Sequence, residues 1–361
     1  MTDRNYLFDA TRGIAALLVV AYHLGNFGYQ IAPSGFLAVD VFFLLSGFVI
    51  AQAYEKRLSA GLSGGRFLLM RAIRLYPLIF AGLFLGLFKA ICISALHKNG
   101  DYSLYSIVES APFNFLLLPS PPSVGVLVPL NVSTLFPLNV VTWSLFFEII
   151  ANIVFAFWAY RASKLDLILT ITLFAIVTTS VALSHSTMKI GWDWATFTGG
   201  LGRVGFSFTL GCLMRRLMDK RARRSSYWAA LPMLALIIML TFKPHDEWAT
   251  IVWIFEAIIV SPAIIAACYY VEVPTKFRNL ASFLGDISYP IYAIHFPLLT
   301  FIMFPLEKVG IPFLMRPIII FPCLILIAYV VARFFDAPVR RRLSEKWKLR
   351  ESAAPMFLDR R

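Results

Sequence analysis

Residues 8–23 read FDATRGIAALLVVAYH, an apolar stretch with a guanidinium near one end and an imidazole deep inside. Arg12 and His23 are 11 residues apart. On an α-helix that is about three turns, so the two side chains share one face, roughly 16 Å apart along the axis. An arginine at a membrane edge and a histidine within the membrane, on one stripe, read as the two ends of a track. Ionisable groups inside a bilayer are costly and mark functional positions. A snorkelling arginine and a helix-packing histidine form the alternative that this stretch alone leaves open.

The composition supports the membrane reading. The chain has 361 residues, 59% of them hydrophobic, and a mean hydropathy of +0.74. Soluble domains hold about 45–50% apolar residues, so this is a polytopic membrane protein. The net charge of +13 does not point to nucleic acid, because no nucleic-acid motif is present and the basic residues fall in loops. Cys92, Cys212, Cys268 and Cys323 lie in apolar stretches without CxxC or Cys/His spacing, which supports neither a disulfide frame nor a metal. The first stretch carries His23 and lacks an A-x-A site before the next span, so it reads as a retained helix and not a leader.

A span needs about 20 apolar residues. Ten candidates are found at 12–28, 36–54, 71–95, 140–160, 167–184, 196–214, 225–242, 249–270, 287–304 and 313–335. The loops and ends on one side hold 26 of the 33 Lys and Arg residues, while the alternate loops hold only Lys98, Lys189, Lys243 and Lys308. The positive-inside rule then places both termini in the cytoplasm. The expected fold is all-α, a helical bundle of about ten transmembrane helices. The long outer segment 96–139 contains six prolines and reads as an embedded loop, either a lid or a plain connector. The tail 343–361 is basic and suits an anionic inner leaflet.

Several polar groups fall inside these spans. Asp40 lies near the outer end of the second span, on a helix antiparallel to that of His23 and at similar depth, so it can orient the ring or simply sit at the interface. Ser46-Gly47 lies mid-span, where small residues permit close packing. Arg71 and Arg74 share a face at the inner end of the third span. With Arg12 they suit a phosphate site, since arginine offers a planar fork to two oxygens, although inside anchoring explains basic residues here equally well. The fourth span opens TWSLFFE with Trp143, Ser144 and Glu148. Glu148 is deep enough to need a partner, and Arg203 is at a suitable depth. Glu256 is a second buried carboxylate. ISYPIYAIHF carries Tyr289, Tyr292 and His295. No G-x-S-x-G, Walker A or H-E-x-x-H motif is present.

Taken in order, TRGIAALLVVAYH, VDVFFLLSGFVI, FLLMRAIRLYP, TWSLFFE, ISYPIYAIH and a closing FDAP resemble the integral-membrane acyltransferase 3 family. The resemblance spans Phe8 to Pro338. Departures are Leu37-Ala38 where a glycine is common before Val-Asp, IIAN after Glu148, and Asp336 where Glu is usual. The resemblance implies about ten helices with both ends inside, in a bacterial inner (plasma) membrane. Residues 1–342 would form the transmembrane acyltransferase domain and 343–361 a cytoplasmic tail. It implies transfer of an acyl group, usually acetyl, from cytoplasmic acyl-CoA to a hydroxyl of a glycan, glycolipid or small molecule. No cofactor would be tightly bound, with acyl-CoA acting as the donor substrate.

By residue, the family's arginine and histidine of the first motif fall on Arg12 and His23, and its arginine pair on Arg71 and Arg74. The expected chemistry is general-base catalysis by His23, with Asp40 holding the ring. Covalent transfer through an acyl-histidine stays open. Tyr289, Trp143 and Ser144 are candidate oxyanion donors. The rival reading is a transporter or flippase for a lipid-linked glycan, in which Arg203, Glu148 and Glu256 line a proton or substrate path.

Overall fold

The computed structural model describes residues 4–96, 104–124, 126–127, 132–218 and 224–347. Helix α1 (Tyr6–His23) starts at Asn5, whose side-chain oxygen accepts the Leu7 and Phe8 N–H groups, a standard N-cap. It ends in a tight turn over Leu24–Phe27, closed by Gly28 at φ 91. Helix α2 (Ala38–Ser59) and helix α3 (Gly64–Leu96) follow. Next comes a short helix α4 (Leu104–Phe115), then α5 (Thr142–Val154), which continues through a π-turn over Phe155–Ala159. Helices α6 (Lys164–Ser184), α7 (Phe197–Leu217) and α8 (Ala230–Thr241) complete the middle of the chain. Helix α9 (Ala249–Phe255) runs through a π-turn over Glu256–Val260 into α10 (Ser261–Tyr270). Helix α11 (Arg278–Lys308) and helix α12 (Arg316–Val330) follow, and α12 passes through a π-turn over Val331–Asp336 into α13 (Ala337–Lys346).

Among the described residues, eight helices are long and apolar enough to cross a membrane, against the ten expected. The other two expected spans are present as helices but differ in kind. Helix α7 has 21 residues, but Gly199, Gly200, Gly202, Arg203, Gly205 and Gly211 lower its hydropathy. Helix α8, with its preceding turn, is apolar but short. Glycine serves α7 in a specific way. A Cβ on Gly47 of α2 would run into the Phe208 carbonyl, and one on Gly211 would run into the Leu44 carbonyl. The two backbones touch, as small residues allow between membrane helices.

Helices α1, α2 and α11 form the interior, with α1 packed along α11 and α2 along α7. Helix α6 exposes Leu165, Leu169, Leu173 and Ile176. These fall on one helical face, an apolar stripe suited to lipid. The segment expected as an embedded loop instead contains α4, fastened to the bundle. The Asn114 amide donates to Ser120 Oγ at 2.9 Å and its oxygen accepts Leu138 N–H at 3.4 Å, while Tyr76 Oη donates to the Phe115 carbonyl. Two short strands, β1 (Val126–Leu127) and β2 (Val132–Ser133), pair antiparallel beyond it. Lys98 and residues 348–361, most of the expected basic tail, lie outside the described residues.

Candidate functional site

A cavity of about 510 Å³ lies toward the end of the bundle that carries the N-terminus. Five elements wall it. Helix α1 brings Phe8, Asp9 and Arg12; α2 brings Phe42, Ser46 and Arg57; α3 brings Arg71 and Arg74; α5 brings Ser144 and Glu148; α11 brings Asp286, Ser288, Tyr289 and Tyr292. The π-turn and α13 add Asp336 and Arg340. The expected cluster of Arg12, Arg71 and Arg74 therefore assembles from two separate helices. Six arginines and four carboxylates line the space, counting Arg4, a surplus of two positive charges.

Four of these arginines, Arg4, Arg12, Arg71 and Arg340, are braced by acids. Arg12 pairs with Asp9 one turn earlier on α1, and Arg4 Nε donates to the same carboxylate at 2.6 Å. Arg71 Nη2 donates to Glu148 Oε1 at 3.0 Å and its Nε to Asn152 Oδ1 at 3.1 Å. Ser46 Oγ also donates to Glu148 Oε1, at 2.8 Å. Arg340 meets Asp336 at 2.9 Å across one turn. Such braces fix side-chain direction in a low-dielectric space, where an unpaired charge is costly. The IIAN departure acquires a role here, since Asn152 is the asparagine of that sequence and it holds Arg71.

Two pairings expected from depth alone are corrected. Asp40 does not hold His23; it is gripped by Arg203, at 3.1 Å from Nε and 2.7 Å from Nη2. Arg203 therefore does not serve Glu148, which Arg71 takes. The remaining Arg203 donors reach the Ile190 and Phe36 carbonyls, both at 3.0 Å, and its guanidinium lies 5.3 Å from the centre of the Trp143 ring. Trp143 and Asp40 accordingly belong to a buried structural clasp and do not line the cavity. The charges of the rival transport path are thus engaged in pairs, except Glu256. That residue sits in its own π-turn away from the cavity, with Oε2 lacking a partner among the described residues.

His23 also lies outside the cavity lining. The cavity ends at Phe42, Ser144 and Tyr292. Ser144 Oγ and Tyr292 Oη share a hydrogen bond of 2.5 Å, and Tyr292 stands edge-on to Phe42 at 5.3 Å. Beyond this wall the rings continue, with Tyr292 6.0 Å from His295 and His295 5.2 Å from His23. Of the expected oxyanion donors, Tyr289 Oη donates to the Leu75 carbonyl at 2.5 Å, and Ser144 Oγ, at the head of the cavity, donates to the Val141 carbonyl at 3.1 Å. Past His23 the rim is aromatic. Lys189 lies within 5.8 Å of the ring centres of Tyr22, Phe36 and Trp253. Burial first, and then Lys243, push its ammonium below the ordinary lysine value.

The acyltransferase-domain family model matches residues 5–334, nearly the whole chain. The chain belongs to the acyltransferase 3 family. It is 36% identical over 183 residues to protein 2 of the picA locus of Rhizobium radiobacter, a match covering 48% of this chain and 93% of that protein. It is 38% identical over 84 residues to a peptidoglycan O-acetyltransferase of Listeria monocytogenes, covering 22% of this chain and 13% of that one. It is 26% identical over 363 residues to a Bacillus subtilis protein provisionally named a peptidoglycan O-acetyltransferase, covering 92% of this chain and 54% of the relative. This acyltransferase thus spans only part of the two relatives with a named acceptor. No solved structure gives a significant match.

The sequence reading missed Arg4, Asp9, Arg57, Asp286 and Arg340 as cavity residues. Arg340 had a usable signal, because it stands four residues after the Asp of FDAP and so on the same helical face. Arg57 and Arg4 carried no signal beyond being basic residues at the same membrane side.

Proposed function

We propose that this membrane acyltransferase moves a short acyl group, acetyl in the simplest case, from cytoplasmic acyl-CoA to a hydroxyl of a glycan or glycolipid. The observation that carries the reading is the cavity in which Arg12, Arg71 and Arg74 converge with a net positive surplus. A polyanionic nucleotide suits such a site, since guanidinium forks match phosphate oxygens two at a time. The two O-acetyltransferase relatives support a glycan acceptor, with peptidoglycan as the first to try.

With α7 and α8 counted as the ninth and tenth crossings, both termini lie on one side. The Lys/Arg bias then makes that side the cytoplasm of a bacterial inner membrane. The nucleotide binds among the arginines and the pantetheine arm extends toward Ser144 and Tyr292. Rotation of the Tyr292 ring then admits the thioester to His23. His23 takes the proton of the acceptor hydroxyl as the new C–O bond forms, and returns it to the departing thiolate as the C–S bond breaks. Ser144 turns its hydroxyl from the Val141 carbonyl and donates to the developing oxyanion.

The test is coenzyme A binding to the purified protein in detergent, by calorimetry, with Arg12→Ala, Arg71→Ala and Arg74→Ala beside it. Binding by the parent and a weakened affinity in each variant is the expected result. A parent without measurable affinity, or three variants that bind as well as the parent, removes the donor assignment.

A further inference from the structure

His23 needs something to hold its ring, and Asp40 does not do so. The aromatic rings beside it are Tyr22 at 5.0 Å, Phe296 at 5.1 Å and His295 at 5.2 Å between centres. Of these, only His295 offers a nitrogen. Its own state follows from its contacts. Nδ1 lies 3.1 Å from the Ile291 carbonyl and 2.9 Å from the Tyr292 carbonyl. Carbonyl oxygens only accept, so Nδ1 carries the proton and Nε2 carries the lone pair. His295 is fully buried, and Nε2 has no hydrogen-bond partner among the described residues. A buried acceptor left open is costly, and each such group calls for an explanation.

We propose that His295 is the positioning residue for His23: once donor and acceptor are bound, the rings, 5.2 Å apart between centres, close so that the open Nε2 accepts an N–H from His23, which leaves the other His23 nitrogen unprotonated and presented to the acceptor hydroxyl. The inference rests on the reading of His23 as the proton acceptor. When the hydroxyl proton arrives, His23 becomes an imidazolium that still donates to Nε2. The proton then leaves with the thiolate, and the pair returns to its starting state. A neutral imidazole suits this part of the bundle better than a carboxylate, because it orients the ring without burying a second charge. The two backbone carbonyls keep the proton on His295 Nδ1, so Nε2 remains an acceptor throughout.

Two substitutions separate this role from bracing of the helix. His295→Gln places an amide near the position of Nε2 and gives up the carbonyl contacts. His295→Asn keeps a donor near the position of Nδ1 and gives up the acceptor facing His23. Acyl transfer is followed at saturating donor and acceptor, with coenzyme A affinity measured in parallel. His295→Ala and His295→Asn are expected to lower kcat by roughly 10–100-fold, the range seen when the partner orienting a working histidine is removed from a metal site. Donor affinity should hold, since His295 does not line the cavity, and His295→Gln should recover much of the loss.

In a His23→Ala background, adding His295→Asn should cost nothing further. Recovery by Asn and not by Gln would reassign His295 to bracing the backbone. A loss that adds in full on top of His23→Ala would show that it acts independently of His23. If His23→Ala alone kept parental turnover, the base assignment itself would fall and the positioning role with it, a result separate from either of the others.

Discussion

Arg203 grips Asp40 with two nitrogens, at 3.1 and 2.7 Å, and both side chains are almost wholly buried. The pair joins α7 to the first turn of α2, on the same helix pair whose close contacts Gly47 and Gly211 permit. It takes the carboxylate nearest in depth to His23 out of the chemistry and assigns it to assembly.

Breaking that pair should unfold the protein before it affects catalysis. Asp40→Ala or Arg203→Ala leaves one buried charge uncompensated, which costs about 3–5 kcal/mol. Both variants should therefore show low abundance and a depressed melting temperature in detergent. A well-folded, thermally normal Asp40→Ala protein that fails to transfer acyl groups would return Asp40 to the catalytic machinery.

Arg71→Lys separates charge from geometry. Lysine keeps a cation opposite Glu148 but loses the fork and the Nε bond to Asn152. Coenzyme A affinity should fall by about 1.5–3 kcal/mol, the worth of a hydrogen bond to a charged group, while the melting temperature stays close to that of the parent. Undiminished affinity in a calorimetric titration would reduce Arg71 to a structural partner of Glu148.

Glycine at the α2–α7 contact is required by space. Gly47→Ala and Gly211→Ala each push a methyl group into a facing carbonyl, and overpacking of this kind costs about 1–3 kcal/mol. Thermal unfolding should show the drop in both. Gly25→Ala is the control, because nothing lies within 4 Å of the added carbon there. Equal melting temperatures for all three would mean that the α2–α7 contact is looser than described.

The proposed topology is read out by single cysteines. The background replaces the half-buried Cys92 and Cys323, while Cys212 and Cys268 are buried. Cysteine at Ser63 or Ser225 should resist an impermeant maleimide in intact cells and react after lysis, whereas cysteine at Ser123 should react in intact cells. Labelling of Ser63Cys and Ser225Cys with Ser123Cys protected would invert the orientation.

The membrane character, the positions of the spans and the grouping of Arg12 with Arg71 and Arg74 were all legible in the sequence. Their causes are local and one-dimensional: run length, side-chain hydropathy, charge alternation and helical spacing. Span count was less secure at α7 and α8. A helix buried among other helices, as α7 is, can be rich in glycine and need not reach the hydropathy of a lipid-facing span, while α8 is apolar and falls short only in length.

Partnership was a different matter. Glu148 and Arg203 share a depth, as do His23 and Asp40, yet Glu148 belongs to Arg71 and Asp40 to Arg203. Depth is a property of each helix alone. Which face of one helix meets which face of another depends on ridges, glycine contacts and the rotation of every neighbour in the bundle. That is why the sequence could nominate His23, while only the packed bundle sets His295 against it and closes the cavity at Tyr292.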